Sequence, residues 1–333
     1  MTAQAPLLAV YHPEIPDFLG PFCETAPMRR LTGVGMNCGC EYTAFRRFAG
    51  LRPYSRFRHS LGAALITWHF TGDRAQALAA LFHDVATPVF AHVIDFLRGD
   101  YLVQEATEDG TERILRGSEE IARLLAAQGL AVDDVKDYHR YPIADNDSPR
   151  LSADRLEYTL GNLENYGIRA IEELARWYGD LTVARAEDGA PELAFVRGDV
   201  ARAFARDALR CARICVSGED RYAMQRLSEL VGEALERGAI GEEDLYTTEP
   251  RVIARFEADP QIRAQWRRYC GYSRMVSDPA EAPESERRVI RAKKRYIDPL
   301  VAGEGRLSEI DAGFRAEVRA FLDESQEGWL CAT

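Results

Sequence analysis

Apolar side chains recur every three to four positions through most of this chain, the spacing that lines one face of an α-helix. The segment HSLGAALITWHF and the runs Asp73 to Asp84, Pro88 to Leu97 and Thr111 to Gln128 all carry it. Pro88 suits a helical first turn, Gly129 stands where a helix would stop, and Ser152 is placed to cap a helix containing Asp154 and Tyr158. The spacing changes at Asp180 to Asp199, where two short apolar stretches flank an Asp-Gly pair, which predicts a β-hairpin. Helical spacing resumes from Val200 to about Arg237. The acidic, proline-containing stretch Asp278 to Glu286 reads as a linker or surface loop, and the basic run RRVIRAKKRY after it fits helix or strand. No internal repeat is visible. The pattern predicts an all-α, mainly helical protein with one small hairpin near 180–199. A division near residue 175 follows, into a core of residues 1–175 and a mainly helical extension of residues 176–333 packed on it; one continuous domain is the alternative.

Composition narrows the class. Of 333 residues, 46% are hydrophobic and 29% charged, a globular balance and not a disordered one. No uninterrupted apolar run is long enough to span a membrane, and the amino terminus, MTAQAPLLAVYHPEIPDF, lacks a basic region before its short apolar stretch. A cytoplasmic protein with no membrane partner is expected. Forty-two Lys and Arg against 53 Asp and Glu give a net charge of −11, which argues against general nucleic-acid binding but leaves room for a locally basic phosphate pocket. Seven cysteines at scattered spacing make no disulfide framework. Cys38 and Cys40 in NCGCEY lack a second pair at zinc-site spacing and read as free thiols in a glycine-containing loop.

The candidate chemistry begins with His83-Asp84 inside the apolar run LAALFHDVATPVFAH. An ionised carboxylate is costly to bury unless it is paired or bound to a metal. His59 in RFRHSLG and Asp154 in SADRLEY supply another imidazole and another carboxylate. Two of each can bind one divalent cation and leave coordination positions for water and substrate, which points to metal-assisted hydrolysis. The 24 positions from His59 to His83 fit a helix, a turn and the start of an antiparallel helix. On a helix, His83 and Asp84 would project about a hundred degrees apart, so the metal must lie in a crevice between helices, with Asp154 closing it from a third. Arg56 lies one turn before His59, His92 and Asp95 are three apart, and Asp154 and Tyr158 four apart, each pair on one helix face. The donor set suits Mn, Fe, Mg, Co or Zn without choosing among them.

RFRHSLG, HDVATPVFAH and DRLEY, in this order, resemble the HD superfamily of metal-dependent phosphohydrolases, and most closely its deoxynucleoside-triphosphate triphosphohydrolase branch. The similarity takes in MRRLTGVGMNCGCEY upstream, YGI after the last motif, and the hairpin and helices to about Gly238, roughly two-thirds of the chain. It implies an HD-domain fold whose metal, held by His59, His83, Asp84 and Asp154, activates water. It also implies a small phosphorylated substrate, a nucleotide foremost, with room for a second metal and a homo-oligomeric state. By the same resemblance Arg56 contacts phosphate, Arg155 stands where the family has lysine in D-R-L-E-Y, Tyr158 lies beside it, and the loop Val34 to Tyr42, with Asn37, meets sugar and base.

The chain also departs from that pattern. Thr87 stands at a family histidine, whereas His92 and Asp95 match later positions and are the candidate catalytic pair. The family's acid/base histidine belongs near residues 105–112, where this chain reads QEATEDGTE. Glu105 is the candidate replacement as general acid or base. Alternatively, Glu105 or Glu108 joins His139 at a second metal, or hydrolysis is lost and a nucleotide-binding regulator keeps the metal site. His139 by itself reads as a surface residue. GEDRYAMQR partly resembles a phosphate-contacting segment, with Tyr222 and Arg226 as candidates. The cluster Arg287, Arg288, Arg291, Lys293, Lys294 and Arg295 reads as a solvated face, with a second phosphate or nucleotide site as the alternative. The expected activity is hydrolysis of a nucleotide or related small phosphate ester.

Overall fold

The helical spacing around His59 becomes the helix Arg56–Thr71, capped by Ser55 Oγ on the Arg58 amide and ended by Gly72 in the left-handed conformation (φ 62°). Arg56 and every residue from His59 to Thr67 are buried, so this helix is a central strut and not a surface one. It packs chiefly against Arg74–Phe82, capped by Asp73, and against Ala153–Asn165, capped by Ser152 as expected. Bare backbone lets the last pair approach. A Cβ on Gly62 would lie 2.5 Å from Glu157 Cγ, and one on Gly161 would lie 2.2 Å from Tyr54 Oη. Glu157 and Tyr54 therefore fit between the two helices.

The computed structural model describes residues 6–99 and 110–333. Among them, seventeen α-helices and one four-stranded sheet make the fold mainly helical, as the spacing predicts. The hairpin forms as β1 (Leu181–Arg185) and β2 (Pro191–Phe195), antiparallel around Gly189 at φ 84°. A parallel partner, β3 (Leu300–Val301), then pairs with β4 (Gly305–Arg306); two-residue strands leave no alternation to read in sequence. Arg306 fastens this edge to the hairpin through Glu192 at 2.6 and 2.9 Å and Glu187 at 2.8 and 2.9 Å. One apolar cluster surrounds Arg56–Thr71 and runs from Leu7 to Val318. A second joins Phe45, Phe90 and the helices Gly218–Glu236, Glu249–Ala258 and Pro260–Gly271.

Several expectations need correction. The helix begun at Asp73 stops at Phe82, so His83 and Asp84 lie in a turn. Pro88 to Leu97 is helical only over Val93–Arg98, because Phe90 (φ 59°) and Ala91 (φ 46°) take left-handed backbone that a helix excludes. Thr111 to Gln128 is two helices, Thr111–Gly117 and Glu119–Ala127, parted at Ser118, whose hydroxyl caps the second. Gly129 does end that helix (φ 71°). The run 287–296 is neither helix nor strand; it is irregular, with a single bridge from Arg288 to Leu330. Among the described residues no helix is long and apolar enough to cross a membrane.

Candidate metal centre

His59 occupies the first turn of the central helix, His83 and Asp84 the turn after Phe82, and Asp154 the first turn of Ala153–Asn165. The doublet lies just past the helix end, with His83 still at helical backbone angles, and both side chains reach one point. His59 Nε2 lies 3.1 Å from His83 Nε2 and 2.9 Å from Asp154 Oδ1, and His83 Nε2 lies 3.6 Å from the same oxygen. These three donor atoms all fall within 4.8 Å of one another. Asp84 Oδ2 approaches the two imidazole nitrogens to 3.8 and 3.5 Å.

Each imidazole has its other nitrogen fixed. His83 Nδ1 lies 2.7 Å from the Ala80 carbonyl, which can only accept, so Nδ1 carries the proton and Nε2 is the bare donor. His59 Nδ1 faces Glu157 Oε2 at 2.6 Å, and the Tyr54 hydroxyl donates to the same oxygen at 2.5 Å. A carboxyl behind a histidine is the usual outer support of a metal ligand. The donor set fits a divalent cation. Adjacent ligands on metal bonds of roughly 2.1 Å stand about 3 Å apart in octahedral geometry, close to the separations around His59 Nε2.

Electrostatics give the same picture. Burial alone lowers the His59 pKa, but hydrogen bonds and charge from Asp154 and Glu157 outweigh it and push it up to about 10. Burial works against the charge on Asp154 and Asp84 too. His59 nevertheless draws Asp154 down to about 2, and Arg56 with both imidazoles holds Asp84 well below the usual carboxylate range. A proton on His59 and a dication are alternative ways to balance these carboxylates.

Asp84 is aimed by its neighbours. Arg56 Nη1 donates to its oxygens at 3.2 and 2.9 Å, and the Thr87 hydroxyl donates to Oδ1 at 2.8 Å, leaving Oδ2 toward the imidazoles. Arg30 secures the turn itself, donating to the carbonyls of Val85 at 3.0 Å and Thr87 at 2.7 Å. Glu249 holds the strained segment beyond. Its Oε1 accepts from the amides of Gly35 (2.8 Å) and Phe90 (3.3 Å), and its Oε2 from the Tyr42 hydroxyl (2.7 Å). Left-handed conformation at Phe90 and Ala91 costs of order 1–3 kcal/mol each and is kept only where surroundings impose it. His92, which follows directly, lines the cavity.

The centre opens on a cavity of about 330 Å³, within the range of small-molecule sites. Arg56, Asn37, Arg155, Tyr158 and His92 all line it, together with the four ligands expected from the sequence. His92 Nδ1 contacts Asp95 Oδ2 at 2.8 Å, and Asp95 is fully buried. Burial lowers the His92 pKa, and Arg56 and Arg295 add to that against Asp95. Arg155 is more committed than its sequence position suggests: it binds the Arg150 carbonyl at 2.7 Å, Asp145 at 3.1 Å, and both oxygens of Asn146, so it also ties down the loop beneath the site. Asn37 Oδ1 accepts from the Tyr166 hydroxyl at 3.4 Å.

Tyr222 and Arg226 do not reach the cavity. Tyr222 is fully buried and donates to the Glu286 carbonyl at 3.1 Å, and Arg226 binds Glu229, Glu286 and the Tyr272 hydroxyl. The neighbouring face of that helix supplies Asp220 and Met224 instead, four apart. Burial pushes the Asp220 pKa up to about 8. Glu105 and Glu108 lie outside the described residues. His139 is exposed, as expected, with Nδ1 3.0 Å from Asp145 Oδ2. Sequence reading missed Glu157, Thr87, Arg30, Tyr138, Asp145 and Asp220. Glu157 alone carried a signal, three positions after Asp154 and so on the same helix face. Of the basic run, Arg291, Lys293 and Arg295 are exposed, as a solvated face requires, and Lys293 and Arg295 also line the cavity.

No family model matches this chain. It is 24% identical over 284 residues to a protein named metal-dependent phosphohydrolase cns2 from Cordyceps militaris, covering 84% of this chain and 78% of the relative. It is also 24% identical over 243 residues to the uncharacterized protein YdhJ of Bacillus subtilis, covering 72% and 70% respectively. In fold it is similar to a hypothetical protein from Aquifex aeolicus, with a TM-score of 0.59, 16% identity, and coverage of 96% of this chain and 92% of the other. The chain is thus a distant homologue of a protein named as a metal-dependent phosphohydrolase, and it carries a His/His/Asp cluster able to hold a metal ion.

Proposed function

We propose that this protein is a metal-dependent phosphohydrolase of the HD superfamily, near the triphosphohydrolase branch, cleaving a nucleotide or related small phosphate ester. The observation that carries the reading is the convergence of His59, His83, Asp84 and Asp154 at one end of a cavity, with both imidazole Nδ1 atoms already engaged. A divalent cation, when bound there, supplies a Lewis acid for phosphate oxygens and makes water a stronger acid.

The other groups have roles of their own. Arg56, held to Asp84 through Nη1 and with a buried, unpartnered Nε, orients a phosphate at the centre. His92 keeps its Nδ1 on Asp95, so its Nε2 takes the proton from the attacking water as the new P–O bond forms. The same nitrogen returns a proton to the departing oxygen as the old P–O bond breaks. Asn37 and Tyr158 position the rest of the substrate.

The test is elemental analysis of the purified protein, followed by turnover with Mn, Co, Fe and Mg on nucleotides and generic phosphate monoesters. About one ion per chain and turnover that disappears in the His83→Ala Asp84→Ala variant are expected. Absence of metal under every loading condition, or turnover unaffected by that variant, overturns the proposal.

A further inference from the structure

Two carboxyl groups meet beneath the loop Val34 to Tyr42, and neither is a ligand of the metal centre. Glu249, buried at the first position of the helix Glu249–Ala258, holds three donors. Its Oε1 accepts from the Gly35 and Phe90 amides at 2.8 and 3.3 Å, and its Oε2 from the Tyr42 hydroxyl at 2.7 Å. Glu41 reaches the same place from the short 3₁₀ turn Cys40–Tyr42. Its Oε2 is buried and has no hydrogen-bond partner among the described residues. Gly35 makes the meeting possible. A Cβ there would lie 2.4 Å from Glu41 Oε1 and 3.3 and 3.4 Å from Glu249 Oε2 and Oε1, so both acids reach into the space a side chain would fill. Their oxygens are therefore within roughly 6 Å, the range in which one charge disfavours another of the same sign.

The donors assign the proton. Three of them stabilise charge on Glu249 and none reaches the buried oxygen of Glu41, so Glu249 is the anion and Glu41 the acid. Burial, with the charge of Glu249, agrees in pushing the Glu41 pKa up to about 8. The surroundings offer no substitute for that proton. Arg56, on the central helix, acts on Glu249 but is bound to Asp84. Cys38, Cys40, Tyr42 and Tyr269 face Glu41, and burial raises the pKa of each, so all four are neutral beside it.

Glu249 also holds the left-handed segment at Phe90 and Ala91, and the Phe90 amide is the longest of its three contacts. A charge on Glu41 drives the pair apart, and the longest contact gives first. The segment then relaxes and takes His92 with it. Asp84 meanwhile keeps Arg56 and Thr87, so the ligand cluster stays as it is. We propose that Glu41 is a positioning residue for His92, acting through Glu249: one proton held between the two carboxyl groups keeps the segment in place, and its loss impairs proton transfer without loosening the metal. The role of His92 rests on the phosphohydrolase reading; the movement of the segment does not.

Metal-loaded wild type and Glu41→Gln are compared at pH 7 and pH 9, where glutamine keeps the shape of the neutral acid and cannot ionise. With p-nitrophenyl phosphate, wild-type kcat should fall about ten-fold relative to the variant between the two pH values, as loss of a proton near pH 8 requires. KM and metal content should stay within about two-fold of each other in the two proteins. Hydrogen exchange of a peptide covering residues 88–96 reads the segment without turnover. It should match at pH 7 and be at least about three-fold faster in wild type at pH 9, with the central helix equally protected in both. Equal exchange at pH 9 overturns the proposal, whatever kcat does. So does an exchange difference that extends to the central helix, which is general loosening, or turnover whose kcat ratio is constant with pH. Should Glu41→Gln fail to fold, Glu249→Gln takes its place, since a single acid meets no repulsion at pH 9 and the same contrast with wild type is expected. If the ester is not turned over but exchange changes as stated, the phosphohydrolase reading fails and the hold of the pair on the segment stands.

Discussion

Glu157→Gln isolates the outer support of the metal centre. Glu157 is fully buried, its Oε2 takes the Tyr54 hydroxyl at 2.5 Å and His59 Nδ1 at 2.6 Å, and its Oε1 has no partner. Glutamine keeps the shape and one acceptor oxygen for both donors but removes the charge behind the imidazole. The two retained hydrogen bonds weaken, since bonds to charged groups are worth about 1.5–3 kcal/mol and neutral ones about 0.5–1.5. Relief from burying a carboxylate offsets this, so the melting temperature of the metal-free protein should move by only a few degrees. Metal affinity is a different matter, because loss of such an outer partner costs about 10–100-fold, or roughly 1.4–2.7 kcal/mol. A proton on His59, with its pKa raised to about 10 by Asp154 and Glu157 against burial, competes with the metal and is also stabilised by Glu157. The dication carries twice the proton's charge, so a net loss remains, and it grows as rising pH removes the competition. The assay is a chelator-competition titration of metal-free protein at pH 7 and pH 9, with His83→Ala Asp84→Ala as the zero. Wild-type affinity, within about two-fold at both pH values in a folded Glu157→Gln protein, would refute the reasoning.

Three further outcomes follow from the same contacts. Gly62→Ala places a methyl 2.5 Å from Glu157 Cγ and 2.7 Å from Oε1, so Glu157 must shift; thermal melts should show a loss of about 1–3 kcal/mol despite the better helix former, with weakened metal binding in the same titration. His92→Asn should cut kcat by about 10²–10⁴-fold with metal content unchanged, and a variant that keeps wild-type kcat would remove His92 from proton transfer. Glu41 lies against Glu249, and burial, with that neighbour's charge, pushes its pKa up to about 8 from 4.5. Below about pH 4.5 both the folded and unfolded states hold the proton. Between there and about pH 8 the unfolded state alone releases it, so wild-type stability falls by about 1.4 kcal/mol per pH unit, and Glu41→Gln should gain on wild type in melts at pH 8 relative to pH 5. Parallel melting curves at the two pH values would exclude that account.

The parts of this molecule that were legible in sequence are those decided by residue type at short range. The hairpin announced itself by two short apolar stretches around Asp188-Gly189, and the central helix by its spacing. Three motifs brought His59, His83, Asp84 and Asp154 together on the page, and the fold brings them together in space. What failed depended on distant partners. The apolar run after Asp84 has helical spacing, but Arg30 takes its carbonyls and Glu249, from the other side of the chain, takes the Phe90 amide. Those contacts outweigh local preference and hold residues 90 and 91 in a conformation no periodicity encodes. For the basic run, composition gives six cations, and only the fold shows that Lys294 is taken up by a helix end while Lys293 and Arg295 line the cavity.

Thr87 joins the ligand turn to the strained segment after it. It stands where the resembled pattern has a histidine, and read in sequence it is a loss. In the fold its hydroxyl donates to Asp84 Oδ1 at 2.8 Å, beside Arg56, and its carbonyl accepts from Arg30 at 2.7 Å. One small residue thereby aims a ligand carboxylate and fastens the turn that carries it. The threonine side chain is fully buried there, so a larger imidazole would need room that this packing does not leave. With threonine there, His92, held on Asp95, is the imidazole beyond the ligand pair that reaches the cavity among the described residues. Under the proposed function, His92, presented by this strained segment, is the imidazole available for proton transfer. Replacing Ala91 by glycine should relieve strain at φ 46° and stabilise the fold, whereas replacing Glu249 by alanine should free the segment and lower kcat more than metal affinity.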